Sequence, residues 1–167
     1  MIPSPFGSIW AVAEACEGPQ GVVAYLTEVK LGIPQSGFAG QSGSRQERSE
    51  CHCVLDQTQM QLGEYFDRHR TAFELPTMLR GTDFQKSVWN CLDRIRYGET
   101  WSYSQLAAAI GSPRASRAVG AALGKNPLWI VVPCHRVIGK TGRLVGFAGG
   151  LDCKRGLLEL EKRMQIG

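Results

Sequence analysis

At 167 residues and 43% apolar content the chain can bury a core without disulfide staples, as one compact unit or two small lobes. Its net charge of +4 is unevenly placed: residues 1–80 hold 6 Lys/Arg against 9 Asp/Glu, residues 81–167 hold 13 against 6, and the second half is the one suited to a polyanion. No apolar run approaches the roughly 18 residues of a membrane helix, and the opening MIPSPFGSIWAVAEA lacks a basic stretch followed by an apolar core, so the expectation is a soluble protein of the cytoplasm (or nucleus, in a eukaryote) with no membrane partner.

In such a compartment Cys16, Cys51, Cys53, Cys91, Cys134 and Cys153 are expected as reduced thiols. Residues 8–13 (SIWAVA) and 21–29 (GVVAYLTEV) predict two short strands around the turn-forming EGPQG. Residues 32–50, rich in Gly, Ser and Gln with almost no apolar period, predict a flexible surface loop. Leu55, Leu62, Tyr65 and Phe66 then fit one face of a helix from Val54 to Phe66, and residues 74–82 form a connector. This first lobe, residues 1–78, is α+β and carries nothing catalytic. Its Cys51-His52-Cys53 has zinc-ligand types at a spacing that suits a structural site poorly, and Cys16 or His69 would have to complete it. No metal is expected.

The second lobe, residues 79–167, opens helical. Thr82 or Asp83 can cap a helix with Phe84, Val88, Trp89, Leu92 and Ile95 at three- and four-residue spacing, ended by Tyr97-Gly98. Ser102 or Ser104 can cap a second helix with Leu106, Ala107 and Ile110 on one face. Gly111-Ser112-Pro113 breaks the chain, and Ala115 to Leu123 makes a third, small-residue helix with Arg114 and Arg117 near its start. Helices joined by a tight Gly-containing turn read as a helix-turn-helix. Alanines and glycines allow another backbone to approach closely, and with arginines at the helix start in a basic lobe the pattern favours nucleic acid.

Leu128 to Val132 is a continuous apolar, β-branched run that predicts a buried strand ended by Pro133. Cys134 follows, beside His135 and Arg136. Only the thiolate is a good nucleophile, and cationic or histidine neighbours favour it. Adjacent residues of a strand face opposite ways, so His135 reaches the Cys134 sulfur only if the backbone turns there or a water bridges them.

These residues carry a resemblance. PCHRVIG at 133–139, NP at 126–127, RAVG at 117–120, YGETxSYxQLA at 97–107 and LLELE at 157–161 resemble the O6-alkylguanine-DNA alkyltransferases (methylated-DNA–protein-cysteine methyltransferases). The match runs in register over nearly all of residues 81–167, and in the first lobe it rests mainly on SPFG near the start. The implied fold is α+β: a small α/β N-terminal lobe, RNase H-like in the family, and a helical, winged-helix-like C-terminal lobe that binds DNA and accepts the alkyl group. The implied function is direct-reversal DNA repair by irreversible, single-turnover transfer from O6-alkylguanine to Cys134, with O4-alkylthymine open as a second substrate. No cofactor is implied, and the partner is double-stranded DNA bound through its minor groove by a monomer, with cooperative binding along DNA left open.

Residue by residue, the resemblance makes Cys134 the acceptor, His135 the base that deprotonates it through a water, and Glu161 the group orienting the far nitrogen of His135. It makes Asn126 the brace of the active-site turn and Tyr103 the residue that helps rotate the nucleotide and donates to the base. Arg117 fills the gap left by the flipped nucleotide, with Arg114, Ala115, Ser116 and Ala118 on the same DNA-binding face. The carbonyls of Cys134 and Val137 would accept from the guanine amino group, the Ala148 amide would face O6, and Phe147 and Trp89 are assigned to the pocket with them. Phe147 stands where the family usually has tyrosine, and no family zinc site maps onto the first lobe. The competing functions are a binding-only relative that flags alkylated bases and a helix-turn-helix transcription regulator with a structural cysteine.

Overall fold

Two units make up the chain in the computed structural model, Met1–Leu79 and Arg80–Gly167, and the described residues are 1–19, 21–32 and 43–162. In the first unit, β1 (Ile9–Gly18) and β2 (Gly21–Leu31) pair antiparallel, with a bulge between Val12 and Ala13. β1 runs beyond the predicted span of 8–13 as far as Gly18, and β2 runs beyond the predicted 21–29 as far as Leu31. Residues 76–78 lie along β2: the Leu26 amide donates to the Pro76 carbonyl (2.7 Å) and the Met78 amide to the Leu26 carbonyl (3.0 Å).

α1 (Arg45–Phe66) packs on both strands through Val54, Thr58, Leu62 and Tyr65, a three- and four-residue stripe that the helical period requires. It starts nine residues before Val54. Ser44 caps it, its hydroxyl accepting from the Glu47 amide while the Glu47 carboxylate accepts from the Ser44 amide, a reciprocal box that satisfies two otherwise orphaned donors. Of the loop expected over 32–50, residues 33–42 lie outside the described residues and 45–50 are helical. Buried Gln61 ties the helix to the following segment, its amide donating to the Glu74 carbonyl (2.9 Å) and accepting from the Glu74 amide (2.8 Å). Among the described residues no three His, Cys, Asp or Glu side chains converge on a metal-sized site, and no helix is long and apolar enough to cross a membrane.

In the second unit, α2 (Asp83–Cys91) is capped by Thr82 and Gln85, and α3 (Tyr103–Ala109) by Ser102 and Gln105, each pair forming the same reciprocal box. α4 (Ser116–Gly124) begins at Ala115 with no side-chain cap. The turn between α3 and α4 needs Gly111 at φ +74°, a conformation that suits glycine. The two helices pack on each other and α4 also packs on α2, with Val88, Trp89, Leu106, Ala107, Val119 and Ala122 buried between them. The sheet of this unit is minimal: β3 (Trp101–Ser102) runs parallel to β4 (Val137–Ile138). α5 (Leu151–Lys162) closes it, burying Leu157, Leu158, Leu160 and Glu161.

Two local expectations are corrected. The first helix of this unit does not continue to Tyr97: it gives way to a 3-10 turn at Leu92–Arg94, and Ile95 is extended, which frees the Ile95 carbonyl for a side-chain donor. Leu128–Val132 is not a ladder strand. The Val131 amide donates to the Trp129 carbonyl and the Val132 amide to the Leu128 carbonyl, both at 2.8 Å, so the run folds on itself. Ile130 stands at φ +71°, strain of about 1–3 kcal/mol for a β-branched residue that the surrounding bonds must offset.

Candidate active site

The turn after α4 is organised by one side chain. Buried Asn126 accepts the Leu128 amide on Oδ1 (3.0 Å), and its Nδ2 donates to the Val132 carbonyl (2.9 Å) and to Cys134 Sγ (3.1 Å). An asparagine amide thus supplies the partners that a neighbouring strand would have supplied, which is why the apolar run can leave the strand geometry its composition favours. The Asn126 carbonyl accepts from the Trp129 indole (3.0 Å). Cys134 opens a 3-10 turn, Cys134–Arg136, so the backbone bends where an extended strand would have sent Cys134 and His135 to opposite faces.

Cys134 is 6% exposed. Burial pushes its thiol up, against the Asn126 bond, the Lys154 ammonium and nearby backbone amides, all of which favour the thiolate. The sulfur is therefore neutral at rest and set among groups that stabilise its charge once a base removes the proton.

His135 and Glu161 are both fully buried, and His135 Nε2 lies 2.8 Å from Glu161 Oε1. Arg136 donates to the same carboxylate, from Nε to Oε2 (3.0 Å) and from Nη2 to Oε1 (3.0 Å), and the Gly98 amide donates to Oε2 (3.0 Å). Burial raises the Glu161 carboxyl, but the bonds and charges of His135 and Arg136 together outweigh it and hold the group at about 2. An ionised carboxylate only accepts, so Nε2 carries the imidazole proton and Nδ1 keeps the lone pair. Nδ1 is buried and meets no hydrogen-bond partner among the described residues. Burial drives His135 below the usual histidine range, with Glu161 opposing. A neutral imidazole with a free lone pair next in sequence to a buried thiol is a base in waiting.

The segment between β4 and α5 is tied down by two donors. Lys154, 1% exposed, donates from Nζ to the Val145 (2.9 Å) and Gly146 (3.2 Å) carbonyls, and the Tyr103 hydroxyl donates to the Val145 carbonyl (2.8 Å). Phe147 leans on Trp129 with ring centroids 5.5 Å apart. Gly149 sits so close that a Cβ would lie 2.9 Å from both rings.

The family model for the DNA binding domain of 6-O-methylguanine DNA methyltransferase matches residues 83–163. A methylated-DNA–protein-cysteine methyltransferase of Methanosarcina acetivorans is 42% identical over 161 residues, 96% of each chain. The chain belongs to this methyltransferase family. A relative from Mycolicibacterium paratuberculosis is 56% identical over 103 residues, and that match spans 62% of each protein. The crystal structure of Mycobacterium tuberculosis OGT in complex with DNA superposes with a TM-score of 0.72 at 40% identity, covering 90% of this chain and 92% of that one. The architecture of a small N-terminal lobe and a helical C-terminal lobe is the family's.

Of the residues singled out in the sequence, Asn126 and Cys134 form one hydrogen-bonded pair and His135 and Glu161 another, and the two pairs meet at the Cys134–His135 peptide bond to make one cluster. Tyr103 stands beside it on α3, its ring over the backbone of Gly120 and its hydroxyl engaged by Val145. Arg114, Arg117 and Ala118 are exposed at the start of α4, with Ala115 and Ser116 half-buried among them. Val137 is buried in β4, Phe147 is half-buried and Ala148 is exposed. Trp89 is 2% exposed, and its indole donates to the Ala122 carbonyl (2.9 Å) in the packing between α2 and α4. Two residues of the cluster went unassigned in the sequence reading, Arg136 and Lys154. Lys154 had a readable signal, because Lys154, Leu157, Leu158 and Glu161 repeat at three- and four-residue spacing on the buried face of one helix.

Proposed function

We propose that this chain repairs DNA by direct reversal, moving the alkyl group of O6-alkylguanine onto Cys134, one group per molecule. The observation that carries the reading is the buried Cys134 thiol held by Asn126 next to a histidine whose protonated nitrogen is fixed by Glu161. His135 Nδ1 takes the thiol proton, through a water in the resemblance, and Sγ attacks the alkyl carbon as its bond to O6 breaks. Charge builds on the departing guanine, and buried donors offset it better than water would. The Ala148 amide and the Tyr103 hydroxyl are the donors in this reading, Tyr103 exchanging its present bond to Val145 for one to the base. The thioether formed has no leaving group the site can activate, so the protein is consumed.

The alkylated base lies inside the duplex, so the nucleotide must leave the stack at a cost of a few kcal/mol. α4 suits that task. Its outer face is small, its start carries Arg114 and Arg117, and its first amides lack a side-chain cap and can meet phosphate. A small-residue helix fits the minor groove and carries little sequence readout. In the reading the chain acts as a monomer, with Arg117 entering the gap left by the flipped nucleotide. The mycobacterial relative solved with DNA supports this choice of partner.

The defining test is stoichiometry: with excess O6-methylguanine duplex, transfer stops at one methyl per protein molecule. Continued turnover contradicts the reading. Arg117→Ala tests the finger separately. It is expected to slow repair of duplex DNA by about 10- to 100-fold, the weight of one lost base-gap contact, and to leave reaction with free O6-benzylguanine nearly unchanged. Equal losses on both substrates would remove Arg117 from that role.

A further inference from the structure

Arg136 ends the PCHR stretch, and no step above uses it. It is nevertheless 6% exposed and bonded through all three nitrogens: Nε reaches Glu161 Oε2 at 3.0 Å and Oε1 at 3.2 Å, Nη2 reaches Oε1 at 3.0 Å, and Nη1 donates to the Ile95 carbonyl at 2.8 Å. The Tyr97 ring lies 5.7 Å away against the guanidinium. Ile95 is available only because α2 has ended before it. Three elements thus converge on one guanidinium that is ion-paired, among the described residues, with the carboxylate that also holds His135.

We infer that Arg136 is a positioning residue of the transfer site: it fixes the Glu161 carboxylate through both oxygens, and it offsets part of the carboxylate charge that favours a second proton on His135. The inference rests on the proposed alkyl transfer. Its physical basis is competition. A carboxylate paired only with an imidazole favours the imidazolium, whereas one already paired with a permanent cation favours it less. Arginine suits the place because its planar fork meets both carboxylate oxygens and stays charged at any working pH, while lysine offers a single point charge.

The groups facing His135 are few. From α5 come Glu161 and Lys154; from its own turn come Arg136 and Cys134; Asp93, after α2, is near enough for its charge to interact with Arg136. Among these, Glu161 favours the imidazolium, and Arg136 and Lys154 oppose it. With Arg136 removed, Glu161 acts on His135 with its charge uncancelled, and the imidazole holds its second proton to higher pH. A doubly protonated His135 cannot accept the Cys134 proton.

The experiment measures single-turnover transfer from O6-methylguanine duplex against pH, with the His135 titration followed by NMR, in the wild-type chain, Arg136→Met and Arg136→Lys. In Arg136→Met the His135 titration and the acid limb of the rate both move to higher pH by about one unit or more. In Arg136→Lys the charge remains, so the limb stays near the wild-type position, while the plateau rate falls several-fold because the fork is lost. A His135 titration in Arg136→Met that coincides with the wild type overturns the inference. If that variant does not fold, Arg136→Lys decides: a full plateau rate overturns the positioning role. A wild-type chain that transfers nothing contradicts the proposed function instead, and the titration still reads what Arg136 does to His135.

Discussion

Glu161→Gln is expected to destabilise the protein by about 3–5 kcal/mol at pH 7 and to slow alkyl transfer by at least about 100-fold. The first effect follows from Arg136, whose buried guanidinium keeps its hydrogen bond to Ile95 but loses its counter-charge. The glutamine amide also turns a donor toward either Arg136 or His135, where each partner is itself a donor. The second effect follows from the tautomer: without a carboxylate on Nε2, the lone pair at Nδ1 is no longer assured. Chemical denaturation reads the stability, and a midpoint within error of the wild type would mean that Arg136 finds another partner.

The same pair sets a pH dependence whose sign is fixed. Glu161 is held near 2 in the folded chain and titrates at about 4.3 when unfolded, so below that value the unfolded chain binds the extra proton first. The stabilisation is complete above about pH 5 and fades as pH falls towards 2. The wild-type advantage over Glu161→Gln should therefore shrink across that window, because a protonated Glu161 resembles the glutamine. A difference that stays constant from pH 7 to 2.5 would place the acid sensitivity elsewhere.

Cys134→Ser is expected to abolish transfer while leaving the fold in place. The side chain is buried and small, and Asn126 can donate to a hydroxyl oxygen as it does to sulfur, so the turn loses none of its bonds. What disappears is the chemistry. A serine hydroxyl is far less acidic than a thiol and far less nucleophilic towards saturated carbon, and a neutral buried imidazole does not remove its proton at a useful rate. Binding of O6-methylguanine duplex should persist, which separates loss of attack from loss of recognition. Residual transfer by this variant would point to a different acceptor, and buried Cys153 of α5, close enough to feel the Cys134 charge, is the first to examine.

How far the sequence alone carries such an account differs between its parts. The capping boxes Thr82-x-x-Gln85 and Ser102-x-x-Gln105 stand directly before apolar periods, and both helix starts were readable there. Ser44-x-x-Glu47 is the same signal, but Gly, Ser and Gln residues before it and polar residues after it hid the start of α1. Leu128–Val132 has strand composition, and only the Asn126 side chain, acting across the turn, makes its folded-back form the better one. The residues given roles in the proposed transfer were legible through the family's motifs, with Cys134 and His135 side by side and Glu161 26 residues beyond His135. Arg136 was not, since nothing in a basic neighbourhood marks which arginine turns inward; its burial depends on Ile95 and Glu161, 41 and 25 residues away along the chain.

The central claim is that the Cys134 sulfur becomes the alkyl acceptor, and peptide mass mapping after incubation with O6-methylguanine duplex tests it most directly. Trypsin releases Asn126–Arg136, a peptide whose only cysteine is Cys134. The account predicts that this peptide gains the mass of one methyl group in place of a hydrogen, up to one per molecule, with the gain located on the cysteine by fragmentation. An unmodified Asn126–Arg136 peptide after the DNA has lost its methyl groups, or a methyl group found on another residue, would contradict it.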